Sequence, residues 1–232
     1  MTIVANLTSP DVAQLAQTGA ILAVPLGSTE QHGPHLPLST DTDVAWALCR
    51  GLAASRNVVI APAIAYGSSG EHAGFAGTLS IGRAALELVL VELCRSAGET
   101  FAQIVLVSAH GGNAEPVGRA VRTLQAEGRD VLAFFPQWDG EAHAGRVETS
   151  IELALHPGRV VMARAERGDT RPLREILPLL HDGGLRAVTA NGVLGDPRGA
   201  TADEGGALLD TLAAQLSNAV DQWLASRAAM SR

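Results

Sequence analysis

A chain of 232 residues can fill one good core and at most two small domains. Its formal charge of −7 argues against a nucleic-acid surface, which needs clustered Lys and Arg. The apolar run over residues 84–94 is interrupted by Glu87 and Glu92, so it is not expected to span a bilayer.

No basic segment followed by an apolar one opens the sequence, so no signal peptide is expected and a cytoplasmic location is the expectation. Apolar residues make up 47% of the chain but aromatics only 3%, which favours tight helix-on-sheet packing over an aromatic core. In chain order, Ile21–Leu26 reads as a buried strand and residues 44–54 as a helix. A strand over 58–61, a helix over Arg83–Ala97, a strand over 104–107, a helix over 115–126 and a strand over 131–135 follow. Ser80 can cap the second helix and Gly98 end it; Gly128 follows the third. Residues 163–200 are rich in Arg, Gly and Pro and are expected to be loops around a short helix over 173–180. Thr201-Ala-Asp-Glu204 is a capping-box pattern before a last helix over 207–225. Cys49 and Cys94 sit singly in predicted helices and read as small core residues. Alternating strands and helices, with strands apolar throughout, predict one α/β domain over 1–232: a three-layer α/β/α sandwich with a mostly parallel sheet.

That architecture has a consequence for chemistry, because open α/β sheets bind ligands beyond the carboxyl ends of their strands. Glu30-Gln31-His32-Gly33-Pro34-His35-Leu36-Pro37-Leu38, with Asp41 close behind, follows the first predicted strand, and His110 follows the third. In extended chain Glu30 and His32 share a face, and two prolines and a glycine stiffen the turn that returns Asp41. Glu30, His32, Asp41, His110 and Glu148 are therefore the candidate metal ligands, a mixed oxygen and nitrogen set that suits zinc, iron(II) or manganese. Three carboxylates among five ligands suit two ions with one carboxylate bridging. Asp43 also follows the turn, but at a helix start, where an acid is favourable without a metal; the same dipole argument is the alternative reading of Glu148.

His143, in a Gly-rich stretch five positions before Glu148, is the candidate for proton transfer to a leaving amine, with Glu148 as its catalytic neighbour. His35 is expected to orient a ligand through a hydrogen bond. Gly111 and Gly112 leave room beside the metal, either for a turn or for main-chain approach to a substrate. Asn113 is expected to cap the next helix. Glu71 and His72 border the pocket with no assigned role, and Trp138 is expected to line it. Trp46 and Trp223 read as packing residues, and His156 and His181 as turn or surface residues.

Taken together, Glu30-x-His32-Gly-Pro-His-Leu-Pro-Leu, Glu71-His72-x-x-Phe75-Ala-Gly-Thr-Leu79, His110-Gly-Gly-Asn113 and His143-Ala-Gly-x-x-Glu148-Thr-Ser150 resemble the creatininase family of metal-dependent amidohydrolases from about residue 22 to about residue 206. The resemblance implies that Glu30, Asp41 and His110 hold one ion, that His32, Asp41 and Glu148 hold the other, and that Asp41 is the bridge. Creatinine-hydrolysing members carry an acid two positions after the histidine matching His110. Here that position is Gly112, and Glu148 is the carboxylate available in its place. Ala61-Pro-Ala-Ile-Ala-Tyr-Gly67 and Asn191-Gly-Val-Leu-Gly-Asp-Pro197 look like the mycofactocin-system peptidases within the family. That likeness implies a short, enzymatically modified precursor peptide as substrate, release of a C-terminal Val–Tyr-type fragment, and a homo-oligomer. Creatinine hydrolysis, formamide hydrolysis in flavin or deazaflavin synthesis, and a non-catalytic binding module are the competing expectations. All five ligand positions are filled, which disfavours the last.

Overall fold

A computed structural model describes residues 1–230. Five parallel strands form one sheet: β1 (Thr2–Ile3), β2 (Ile21–Leu26), β3 (Val58–Ile60), β4 (Gln103–Ser108) and β5 (Asp130–Phe134), in the order β1-β3-β2-β4-β5. Seven helices cover it among the described residues: α1 (Ser9–Gln17), α2 (Thr40–Ser55), α3 (Arg83–Ala97), α4 (Ala114–Ala126), α5 (Arg146–Leu155), α6 (Leu173–Gly183) and α7 (Ala202–Met230).

The pleat of the strands divides the core in two. Leu22, Val24 and Leu26 of β2 and Ile104 and Leu106 of β4 point to one face, where Leu86, Leu90 and Cys94 of α3 and Val117, Ala120 and Leu124 of α4 pack on them, with Val12 and Leu15 of α1 at the margin. Ile21, Ala23, Val105 and Val107 point to the other, under Val44, Leu48 and Cys49 of α2, Ile151 of α5 and Leu212, Leu216 and Val220 of α7. Both faces are buried, so β2 and the middles of β4 and β5 are apolar, and β2 is buried at all six positions. The three-layer α/β/α expectation holds. Cys49 and Cys94 are buried free thiols on opposite faces.

The strand order matters for function. From β2 the chain crosses to β3 on one side, and β4 returns on the other, so strand order reverses between β2 and β4. Leu26 pairs with Ser108 at the carboxyl end of both strands, and the crevice beyond that pair is where such sheets bind ligands.

Several local expectations are corrected. Thr2–Ile3 and α1 are not among the expected elements, and α5 is anticipated only as the helix start in the alternative reading of Glu148. Ser80 does not cap α3, whose first flanking residue is Gly82; its hydroxyl instead accepts the N–H groups of Ser69 and Gly82 and ties the loop before the helix. Only half of the box at α7 forms: Thr201 Oγ1 accepts the Glu204 N–H, but the Glu204 carboxylate turns to Arg146 and Ser150 and joins α7 to α5. The helix expected over 173–180 runs three residues further, with Pro178 inside it.

Candidate metal centre

The centre lies in the crevice beyond Leu26 and Ser108. The Glu30 side chain is completely buried, and neither carboxylate oxygen has a hydrogen-bond partner. Imidazole nitrogens nonetheless converge on it: His72 Nε2 is 3.2 Å from Oε1, His110 Nε2 is 3.2 Å from Oε2, and His143 Nδ1 is 3.9 Å from Oε1. Asp41, on the first turn of α2, is 3% exposed and lies between two rings, with His32 Nε2 3.3 Å from Oδ1 and His110 Nδ1 3.3 Å from Oδ2. The Ser28 hydroxyl donates to Asp41 Oδ2. Glu148, on the first turn of α5, is 6% exposed; its Oε2 accepts the Ala144 N–H at 2.5 Å and lies 4.0 Å from His32 Nε2. Ala144 holds φ at 50°, a left-handed conformation that costs a non-glycine residue about 1–2 kcal/mol. That twist between His143 and α5 aims the Ala144 N–H at the carboxylate.

Three rings share one arrangement. His32 Nδ1 lies 3.1 Å from the Glu30 carbonyl, His110 Nε2 3.1 Å from the Ser68 carbonyl, and His143 Nε2 2.9 Å from the Gln31 carbonyl. A carbonyl only accepts, so in each ring that nitrogen carries the hydrogen and the other keeps its lone pair in the neutral state. His32 Nε2 and His110 Nδ1 then face Asp41, and His143 Nδ1 faces Glu30. Metal-binding histidines are set in this way, with the far N–H anchored on a carbonyl or carboxylate.

Charge and burial act together here. Burial alone would lower the His32 pKa, but the carboxylates of Asp41, Glu148 and Glu30 override it and raise it to about 10. Burial lifts the Glu148 carboxyl to about 7, against the pull of His32. Burial, reinforced by His32 and His72, drives the His143 pKa well below the ordinary imidazole value, so this ring is neutral at neutral pH. Buried carboxylates that press so strongly on a neighbouring imidazole demand positive charge. Potential ligand atoms lie within 4.8 Å of one another in the groups Glu30–Asp41–His110, His32–Asp41–Glu148 and Glu30–His32–His143. The donor set therefore fits one or more divalent ions.

A cavity of about 520 Å³ opens onto this cluster. Glu71, His72, Gly111, Gly112, Trp138 and His143 line it, beside an apolar wall of Phe135, Leu173, Leu180, Leu185 and Leu194. No Lys or Arg lines it among the described residues. A Cβ on Gly112 would collide with Glu71 Oε1 and the Ser68 carbonyl, so the glycine lets the segment around the short 3-10 turn Gly70–His72 close over the centre. Gly111 faces open space. The side chain of His35 bonds not to an expected ligand but to Thr149, its Nε2 2.9 Å from Thr149 Oγ1, beside Glu148. Asn113 stands at the N-cap position of α4, but its side chain makes no capping bond there. Its side chain accepts the Ser68 N–H and donates to the Gly27 carbonyl and Ser108 hydroxyl, clamping three loops behind the centre. His156 is not a simple surface residue, since its Nδ1 lies 3.6 Å from the buried Glu152, whereas His181 is exposed. Sequence reading missed Gln31, which is 5% exposed and meets both His72 and His143. The available signal was an uncharged amide placed between two candidate ligands.

The family model described as creatininase, creatinine amidohydrolase, matches residues 5–220. The chain belongs to the creatininase family. It is accordingly a hydrolase of amide bonds with that family's fold. It is 46% identical to the mycofactocin precursor peptide peptidase of Mycolicibacterium smegmatis over 223 residues, covering 92% of this chain and 90% of that protein. It is 43% identical to the protein of the same name from Mycobacterium ulcerans over 231 residues, covering 95% and 92%. A solved manganese creatininase superposes with a TM-score of 0.83 at 23% identity, covering 95% of this chain and 98% of that one. Among the described residues no helix is long and apolar enough to cross a membrane.

Proposed function

We propose that this creatininase-family chain is a dinuclear metallopeptidase that removes a C-terminal fragment from a modified mycofactocin precursor peptide. The observation that carries the metal assignment is the common setting of His32 and His110, each anchored on a main-chain carbonyl with its second nitrogen turned toward the buried Asp41. Identity of 43–46% over at least nine-tenths of two peptidases supports the substrate. In this reading Glu30, Asp41 and His110 would hold one ion and His32, Asp41 and Glu148 the other. The manganese of the structural relative is consistent with such a centre, and zinc and iron(II) suit the same donors. When bound, the ions supply Lewis acidity and a water of lowered pKa.

The chain's own residues do the rest. His143 is neutral and presents Nδ1 to the centre, so it begins as a base: it takes a proton at Nδ1 and passes it to the departing nitrogen. Its Nε2–H stays on the Gln31 carbonyl throughout and holds the ring in place. The apolar wall formed by Leu173, Leu180, Leu185 and Leu194 receives side chains of the peptide and keeps bulk water from the scissile amide. Glu71 and His72 close the cavity on the side of Gly112.

The test is a comparison of substrates on metal-loaded and chelated protein. The loaded enzyme is expected to cleave the modified precursor peptide and to leave creatinine untouched, and chelation is expected to abolish cleavage. Turnover of creatinine with an intact peptide would overturn the substrate, and full activity in metal-free protein would overturn the centre.

A further inference from the structure

The residue between the proposed ligands Glu30 and His32 makes several polar contacts in the site. Gln31 lies in the turn after β2, 5% exposed. Its side-chain orientation is fixed by Gly33, whose N–H donates to Gln31 Oε1 at 2.9 Å. The amide nitrogen therefore faces the other way. Three groups lie within reach of it: His72 Nδ1 at 3.0 Å, His143 Nε2 at 3.0 Å and the Gly192 carbonyl at 3.1 Å. Gly192 has φ 78°, and a Cβ there would collide with Gln31 Oε1, so its loop is pressed directly onto the amide.

Two amide hydrogens cannot serve three acceptors, and the main chain decides which is left out. His143 Nε2 already donates to the Gln31 carbonyl at 2.9 Å and has no lone pair to offer. The two hydrogens go to His72 Nδ1 and to Gly192. His72 then accepts at Nδ1 and carries its hydrogen on Nε2, which lies 3.2 Å from Glu30 Oε1. His143 presents its other edge, with a lone pair on Nδ1, 3.9 Å from the same oxygen. The two rings meet edge to face, with centroids 4.6 Å apart.

We propose that Gln31 is a positioning residue that sets the same Nε2–H tautomer in two facing histidines that turn opposite edges to Glu30, so that Oε1 is faced by the protonated Nε2 of His72 and by the lone pair on Nδ1 of His143. One residue does this with both its halves: the carbonyl orients His143 and the side-chain amide orients His72. Only an uncharged amide suits the place. A carboxylate at position 31 can accept from Gly33 but cannot donate to His72, and it draws the hydrogen of that ring onto Nδ1. The ring then turns a lone pair toward Glu30. The proposal rests on the reading of this cluster as the working centre, but its main test reads ring nitrogens and not activity.

The test uses zinc-loaded protein labelled with 15N-histidine, with long-range proton–nitrogen spectra assigned by single His72→Asn and His143→Asn variants. Wild type is expected to show His72 and His143 both protonated at Nε2. Gln31→Glu is expected to move the His72 hydrogen to Nδ1 and leave His143 unchanged, because its main-chain acceptor remains. Gln31→Met, which cannot donate, is expected to give a mixture at His72. Turnover should fall about 10- to 100-fold in both variants, the range for partners that orient ligands, with KM and metal content near wild type. In a His72→Asn background Gln31→Met should cost little more, since residues acting as a unit are not additive. An unchanged His72 tautomer in Gln31→Glu overturns the proposal, as do fully additive losses in the double variant. Loss of peptide cleavage by wild type with these tautomers intact would instead count against the peptidase reading alone. If Gln31→Met melts well below wild type, Gln31→Glu carries the test, since it preserves shape and the bond from Gly33.

Discussion

Asp41 and Asp43 stand two residues apart on the first turn of α2 and serve different environments. Asp41 is buried between His32 and His110, each 3.3 Å away. Asp43 accepts the Ser39 hydroxyl at 2.6 Å and pairs with the half-exposed Arg159 at 3.2 Å. Two residues along a helix turn a side chain by about 200°, so only one of the pair can face the sheet edge.

Asp41→Ala is therefore expected to empty the centre, while Asp43→Ala keeps its metal and loses a little helix stability, about 0.3–1 kcal/mol from the dipole and its exposed ion pair. Elemental analysis of the two purified variants decides this. Equal metal loss in both would show that the wrong aspartate was assigned, or that neither binds.

Glu148→Gln is expected to fold normally, lose about one ion per chain and lose most turnover. Glutamine retains the shape, and its carbonyl can still accept the Ala144 N–H, but the negative charge beside His32 is gone. Metal stoichiometry against wild type is the measurement. Retention of both ions would mean that Glu148 serves only as the acceptor at the start of α5.

His143→Ala is expected to slow peptide cleavage about 100-fold or more, in the range of a general acid–base group, with metal content near wild type. An anilide with an electron-poor ring needs less protonation at its leaving nitrogen, so the variant should lose less on that substrate. Metal loss in step with activity would make His143 a ligand, consistent with its place in the Glu30–His32–His143 group. Equal losses on both leaving groups would point to substrate binding.

Glu152, one turn beyond Glu148, is completely buried, and neither carboxylate oxygen has a hydrogen-bond partner. Burial, then the charge of Asp43, raises its pKa to about 8. The folded state thus holds this proton more tightly than the unfolded chain, whose glutamates titrate near 4.5. Stability contributed by the protonated form is complete below about pH 4.5 and is lost as pH rises toward 8. Glu152→Gln removes the ionisable group, so its Tm should exceed that of wild type by more at pH 8 than at pH 5. A Tm difference independent of pH across that window would contradict the assignment.

The sequence by itself determined the sheet and the chemistry of the ligands. A strand with both faces buried is apolar along its length, which is why Ile21–Leu26 was legible to the residue, and the helix Arg83–Ala97 was legible from the helical spacing of Leu86, Leu90 and Cys94. The strand-then-ligand order alone places Glu30, His32 and His110 at one edge of the sheet. The extent of α5 was not legible beyond a possible helix start at Glu148, because Glu148, Thr149, Ser150, Ile151 and Glu152 are buried in succession and the polar ones among them erase the helical period. The α1 helix was missed because it buries none of its nine residues completely. Nor could the chain show which nitrogen of each ring faces the centre. That choice belongs to acceptors at Glu30, Gln31 and Ser68. For His110 and His143 the acceptor is 42 and 112 residues away along the chain. Contacts of that separation are created by the closing of loops over the β2–β4 crevice, and no local pattern of residues encodes them.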